Sequence, residues 1–349
     1  MASPQEQRIG KLRGRVLKHV IPQEVIGRCC KSMKERIPKN EGATVVFRRW
    51  LPKGASVAKP NTWAVDANEH LLTEGETPNA ETIVAQDITA TLQQFGVLYR
   101  YSDRVADLYE DDVPEQMVKI TGERMGLLLE MVRYGVLKAG TNVYRAGNVA
   151  ARSSVNALVS GNLLANVARG LSANLAMKMT AILSPSANVG TSSVEAAYIA
   201  VCHSDLEQDL RTQLPGFTHV SDYGSRKPIH ENELGSWQQF RFITSPHTAP
   251  YLLAGATTTA NTRLANNVPN SAGSELSDVY PILVMGEEAY GDVMLRGMDS
   301  VKAYHMKPSE ESKDDPLGQR GHVGAKTYFT AVRLNELHMA VVEVACSAL

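Results

Sequence analysis

Apolar positions recur at helical spacing from Asp112 to Gly140, the longest periodic stretch in the chain. Met117, Ile120, Leu127, Leu128, Met131 and Tyr134 mark one side, and Val118, Met125, Leu129, Val132 and Val136 fill much of a second. Pro114 suits the first helical turn, where its missing N–H costs nothing. Glu110, Asp111, Asp112 and Glu115 complement the positive end of the helix dipole. Arg133 and Lys138 lie toward the other end, and Gly140 offers a left-handed stop. The spacing predicts a spine helix over 113–139, roughly 39 Å long at 1.5 Å per residue. A helix apolar on more than one side belongs at the centre of a fold.

The other elements are shorter. ATVVFRRW reads as a strand from Ala43, and the chain returns through TIVAQDITATLQQFGVLYRYSDRVADLY, rich in β-branched and aromatic residues with stretches of alternation. Between them lies a Pro-, Gly- and Asn-rich excursion of about thirty residues, long enough to imply a functional or partner-packed loop. A second helix is expected from near Ser160, with Leu163, Leu164, Val167, Leu171 and Leu175 on one face. EAAYIAVCH predicts a buried strand, SDLEQDLRTQL a helix capped by Ser204 or Asp205, and GSWQQFRFITSP a further strand, together a small α/β unit. VYPILVMG and YGDVMLRG resume strands, and KPSEESKDDPLGQRGHVG is a charged loop. KTYFTAVRL and HMAVVEVAC, joined by a turn at Asn335–Glu336, are expected to pair antiparallel. HTAPYLLAGATTTANTRLANNVPNSAGSELSD reads as an insertion loop.

Charge changes the picture at the N-terminus. The 349-residue chain carries a formal net charge of only −1. Its first fifty residues hold twelve Lys and Arg against four Asp and Glu, which leaves 24 against 33 for the rest. A basic arm on an acidic body suggests an anionic partner for the arm. Gly14, Pro22, Gly27 and Pro38 interrupt residues 1–42, so an extended arm with short helical pieces is expected. Val16, Leu17, Val20, Val25 and Ile26 need something to pack on, and another subunit is one source. No run approaches 18 apolar residues, so no membrane span is expected, and the basic first thirty residues lack the apolar region of a signal peptide.

Candidate chemistry is sparse. Four cysteines, Cys29, Cys30, Cys202 and Cys346, form no disulfide framework and no metal-ligand spacing, which points to free thiols in a reducing compartment. The nine histidines show no i, i+4 ligand pair, so neither a metal nor a cofactor is expected. His203, Ser204 and Asp205 are adjacent, but a catalytic triad needs convergence in space rather than neighbours along a chain. Helix capping is the expected job of Ser204 or Asp205, with His203 a turn residue. Glu74 and Glu76 form a carboxylate pair in a Gly- and Pro-containing loop, where solvent exposure is expected. Trp50, Trp63 and Trp237 are too scattered for a stacking platform and read as single core or interface anchors. Nothing here asks for catalysis.

The order of basic arm, long hairpin, spine helix, α/β unit and closing strands resembles the major capsid proteins of tailed bacteriophages with the Hong Kong 97-like α+β fold. The chain is most similar to the capsid family of coliphage N-four and related podophages. LTEGETPNAETIVAQDITATLQQFGVLYRYSDRVADL, VLKAGTNVYRAGN and VGAKTYFTAVRLNELHMAVVEVA carry the resemblance. YIAVCHSDLEQDL, GSWQQFRFITSP and VYPILVMGEEAYG add to it.

The resemblance implies an N-terminal arm over 1–42 and an extended E-loop hairpin over 43–97. It implies a P-domain over 98–175 and 320–349, and a central A-domain over 176–319. It further implies self-assembly as hexamers and pentamers into an icosahedral virion shell around packaged double-stranded DNA, with assembly in the host bacterial cytoplasm. Scaffolding, portal and decoration proteins are the partners expected of such a shell. Trp50, Lys53, Lys59, Trp63, Glu74 and Glu76 become candidates for the subunit interface. Lys53 and Lys59 are also candidates for the Lys–Asn cross-link found in some relatives. Arg8, Lys11, Arg13, Arg15 and Lys18 become candidates for an inner-surface basic arm facing scaffold or DNA. The alternatives are an encapsulin-like nanocompartment shell, a soluble Ser/His hydrolase using Ser204 and His203, and a nucleic-acid-binding protein using the arm.

Overall fold

The computed structural model describes residues 24–29, 33–51, 67–68, 70–75, 77, 80–108, 113–179, 196–223, 228–257, 276–296, 302–308 and 315–347. The basic residues Arg8, Lys11, Arg13, Arg15 and Lys18, and the excursion residues Lys53, Lys59, Trp63 and Glu76, lie outside them.

Three runs that are apolar without alternation, β6 (Tyr198–Cys202), β10 (Val279–Met285) and β14 (Met339–Ala345), are buried at every position. A strand buried on both faces needs neighbours on both edges and cover on both sides. All three lie inside one seven-stranded sheet, ordered β5-β14-β10-β6-β9-β8-β7. Its edges are β5 (Val143–Arg145) and β7 (Thr218–His219), and the hairpin of β8 (Glu233–Trp237) and β9 (Phe240–Thr244) lies between β7 and β6.

The two faces follow residue parity. Ala200, Cys202, Ile282, Val284, Val342 and Val344 pack against α4 (Gly161–Ala173) and α5 (Glu207–Gln213). Ile199, Val201, Leu283, Met285, Met339 and Val341 pack against Tyr134 and Leu137 of the spine helix α3, Val113–Lys138. The expected α/β unit is present: β6 and β9 pair in parallel, and the crossover between them contains α5 followed by β7 and β8.

The second sheet is built on β13 (Arg320–Arg333), 14 residues long. β4 (Gln93–Ser102) pairs along one edge of it. β11 (Tyr290–Leu295) and β12 (Lys302–Met306) share the other, and β1 (Met33–Ile37) adds parallel to β11. Phe95, Met294, Phe329 and Ala331 of this sheet meet Leu128, Leu129, Val132 and Val136 of α3. The spine thus lies between the two sheets and contributes to both cores.

Several expectations need correction. KTYFTAVRL and HMAVVEVAC do not pair; they belong to different sheets. At the turn between them Asn335 Oδ1 accepts the Leu337 N–H at 3.2 Å and starts a 3-10 turn over Glu336–His338. The chain turns there into β14, whose burial on both faces requires β5 and β10 as neighbours. GSWQQFRFITSP is two strands, because Gln238 adopts φ 48° and folds the segment back on itself.

The second helix does start after Ser160, whose Oγ accepts the Leu163 N–H at 3.3 Å. It ends before Leu175, which has φ 57° and is exposed. Gly140 does not supply a left-handed stop. It is buried, and the close packing needs a glycine there, since a Cβ would meet Met339 Cε at 3.0 Å and Val341 Cγ2 at 3.2 Å. Val25 and Ile26 pack inside their own chain, in the core beside Tyr134 and Leu137, not on another subunit.

Candidate inter-subunit surface

The hairpin of β2 (Thr44–Leu51) and β3 (Val84–Thr91) forms a sheet of two strands only, with eight paired positions, about 27 Å at the rise of a β-strand. Such a ribbon is marginal alone in water and needs a surface to lie on. One of its faces has such a surface, from Val45 near the base to Leu51, which is buried at the far end. Val45, Phe47, Ala90 and Leu92 pack with Ile37, Val293 and Val332. Gly291 permits this approach, since a Cβ there would lie 3.3 Å from the Phe47 ring.

The opposite face carries Thr44, Val46, Arg48 and Trp50 across from Thr91, Thr89, Asp87 and Ala85, all exposed. Trp50 is 59% exposed and Val46 50%. The Arg48 guanidinium lies 5.8 Å from the Trp50 ring and donates to both Asp87 oxygens. That hydrogen bond first, and then the charge, holds the Asp87 carboxyl below its usual range. Beyond the ribbon, Leu71 and Leu72 are 78% and 72% exposed. Glu74, beside Gly75 at φ 83°, is exposed as expected.

A second exposed apolar surface lies on the outer face of the β13 sheet. Leu98 of β4, Gly324 of β13 and Tyr304 of β12 stand in one row across three strands. Leu98, Tyr304 and Met306 are 69%, 50% and 42% exposed and line a shallow groove of about 450 Å³. Gly324 keeps its floor open: a Cβ would meet Leu98 Cδ1 and Val97 O at 2.9 Å. His322 and Lys326 border it. The alternation in GVLYRYS was the available signal for Leu98; β12 gave none.

The chain entering the hairpin is anchored by buried charge. The Glu130 carboxylate accepts the N–H groups of Val25, Ile26 and Gly27 at 3.0, 2.6 and 3.2 Å. Arg133 bridges Asp292 at 3.1 Å, Glu24 at 3.5 Å and Glu130 at 3.7 Å. Burial opposes the Arg133 charge, but the surrounding carboxylates, Asp292 foremost, outweigh it and raise its pKa. Two charged residues within the apolar run LLLEMVRYG were the sequence signal for this node.

His203 and Asp205 do meet, Nδ1 to Oδ2 at 3.2 Å, but the histidine rather than Ser204 or Asp205 caps the following turn, accepting the Asp205 N–H. Asp205 in turn accepts the Tyr280 hydroxyl at 3.0 Å. This is a cap and brace, with both partners of the imidazole supplied by one residue. Cys202 and Cys346 are buried free thiols, and burial pushes Cys202 up to about 12. Trp237 is a core residue whose indole N–H donates to Pro215 O. Among the described residues no group of three His, Cys, Asp or Glu could hold a metal ion. No helix among them is long and apolar enough to cross a membrane.

No protein-family model matches this chain, and no curated protein does. Solved structures do. The capsid of Ralstonia phage GP4 matches with a TM-score of 0.67 at 11% identity, over 100% of this chain and 98% of that one. The capsid asymmetric unit of cyanophage Pam1 matches at 0.63 and 12% identity, covering 100% and 99%. The capsid of cyanophage P-SCSP1u matches at 0.60 and 14% identity, covering 98% and 94%. The fold is the Hong Kong 97-like fold of tailed-phage capsids. At such identities the likeness is one of chain path rather than of residues. In this capsid fold the two sheets share the spine helix, and the hairpin leaves the body with one face bare.

Proposed function

We propose that this chain is the major capsid protein of a tailed phage, a shell subunit rather than an enzyme. Copies of it close as hexamers and pentamers into an icosahedral virion shell around packaged double-stranded DNA. Residues 1–42 serve as the arm, 43–97 as the E-loop, 98–175 with 320–349 as the P-domain and 176–319 as the A-domain. One observation carries the reading: a two-stranded ribbon presents Val46, Arg48 and Trp50 on an exposed face that none of the described residues covers. A neighbouring copy beneath that ribbon would bury it, and repeated large interfaces of this kind supply shell stability without strong single contacts. Capsids are also what the matching structures are named as. Scaffolding, portal and decoration proteins are the further partners of such a shell, and the host cytoplasm its place of assembly. The basic arm, with Arg8, Lys11, Arg13, Arg15 and Lys18, faces scaffold or DNA in this reading.

Negative-stain microscopy of the expressed protein, alone and with a candidate scaffold, tests it. Closed particles of uniform size are expected. A small soluble oligomer under all assembly conditions would overturn the reading, and particles filled with a protein cargo instead of DNA would redirect it to a nanocompartment shell.

A further inference from the structure

The outer face of the β13 sheet is covered by its own hairpin at one end, where Val293 and Val332 pack with Val45, Phe47, Ala90 and Leu92. Beyond that end the strand register sets out three bare rows. Gly96 stands beside Lys326, Leu98 beside Gly324 and Tyr304, and Arg100 beside His322 and Met306. The middle of this surface is apolar, and exposed cations flank it, Arg100 on one side and Lys326 on the other, with His322 half-buried. None of the outward positions in these rows is a carboxylate. Lys326 Nζ lies 5.7 Å from the centroid of the Tyr304 ring. Among the described residues the side chains of Arg100, His322 and Lys326 hold no ion pair and no hydrogen bond.

An apolar floor between unpaired cations suits a ligand that offers both apolar side chains and carboxylates. A nucleic-acid strand offers charge, but it needs aromatic faces to stack on, and Tyr304 is the one aromatic ring lining the groove among the described residues. The chain itself holds a matching stretch. Between Leu51 and Val84 it carries five Asp and Glu against two Lys, and all five acids fall from Asp66 to Glu81. Within that stretch Leu71 and Leu72 are 78% and 72% exposed, and Glu74 beside them is exposed.

The excursion of one copy is aimed away from its own groove. β3 runs into β4 with only Leu92 between them, so the far end of the ribbon, at Leu51 and Val84, and the groove at Leu98 lie on opposite sides of the ribbon's base. A second copy is the source that this direction leaves.

We propose that the groove of Leu98, Tyr304 and Met306 receives Leu71 and Leu72 of a second copy, with Glu74 and the neighbouring acids set against Arg100 and Lys326. This contact presupposes the shell proposed above and adds its receiving surface. Apolar anchors at the centre and charge at the rim are the usual anatomy of a protein interface, and the rim charges orient the incoming segment.

Leu72→Cys and Tyr304→Cys, prepared separately and each checked for an unchanged thermal melt, are mixed under assembly conditions and treated with a short bismaleimide. A cross-linked dimer is expected in the mixture, well above that in either variant by itself. The natural chain is the control for its own cysteines, of which Cys202 and Cys346 are buried. Lys326→Glu should raise the critical concentration for assembly about fivefold, the upper range for an exposed ion pair, and adding Glu74→Lys in the same chain should recover part of the loss. A mixture without the dimer, or a link that closes within one chain when both cysteines are placed in it, would overturn the contact. Closed particles without the link would sink this contact and leave the shell standing. A link between copies that form no closed particle would do the reverse.

Discussion

Arg48 and Asp87 face each other across the bare side of the hairpin, joined through both carboxylate oxygens at 2.7 and 2.8 Å. Their strands form a two-stranded sheet, so this pair and the backbone ladder hold the ribbon in register. Both side chains are exposed, and surface pairs contribute little to the stability of a folded chain. Asp87→Asn is therefore expected to leave the melting temperature of the isolated subunit unchanged while lowering the yield of closed particles, more so at low salt. Calorimetry and light scattering on the same preparations check it; a lowered melt with normal assembly would refute the assignment.

Trp50 offers a sharper version of the same test. At 59% exposure it contributes little to its own fold, and surface substitutions of this kind change stability by no more than about 0.5 kcal/mol. Trp50→Ala should leave subunit unfolding in urea within that margin. Aromatic anchors often dominate interfaces, with truncation costing about 2 kcal/mol or more. The critical concentration for assembly should then rise by at least about tenfold, and an unchanged value would exclude Trp50 from the interface.

Glu130 makes the opposite prediction. Its carboxylate is buried and serves three amide groups and Arg133. Glu130→Ala leaves the amide donors of residues 25–27 without their acceptor and removes one of the three carboxylates around Arg133, and breaking a buried ionic node of this kind costs about 3–5 kcal/mol. The urea midpoint should fall accordingly, and trypsin should gain access to Arg28, Lys34 and Arg36. A loss below about 1 kcal/mol would show that residues 24–37 are held by other means.

His338 sets a pH dependence. It sits in the turn between β13 and β14 with Nδ1 beside Glu287 O, and burial, aided by nearby Arg49, lowers its pKa below the ordinary 6.5. Because the folded pKa is the lower one, the unfolded chain binds the proton more readily. The stability conferred by neutral His338 is thus complete above pH 6.5 and is lost as pH falls from there toward the folded value. Melting temperatures between pH 7.5 and 5 should fall less in His338→Gln than in the natural chain. Parallel curves would remove His338 as the cause.

What was legible in the chain was local. Apolar runs without alternation announced β6, β10 and β14, helical periodicity announced the spine, and Ser160 announced the start of α4. Each is a statement about how many sides of an element are buried, and residue spacing alone carries that. ATVVFRRW was likewise expected as a strand, and the carboxylate of Glu74 was rightly expected in solvent. The pattern contained no hint that Gln238 would turn a strand into a hairpin, since glutamine has no preference for a positive φ.

The chain alone determined which stretches are buried and how many of their faces are covered. Only tertiary structure decided what covers them: that β13 and β14 part into different sheets, that Glu130 receives the backbone of residues 25–27, that Lys138 meets Ala249, and that Arg145 and Arg152 share Glu343. Those partners lie about a hundred or more residues apart in most cases. Burial is a property each residue type expresses on its own, whereas pairing depends on which distant surface closes over it.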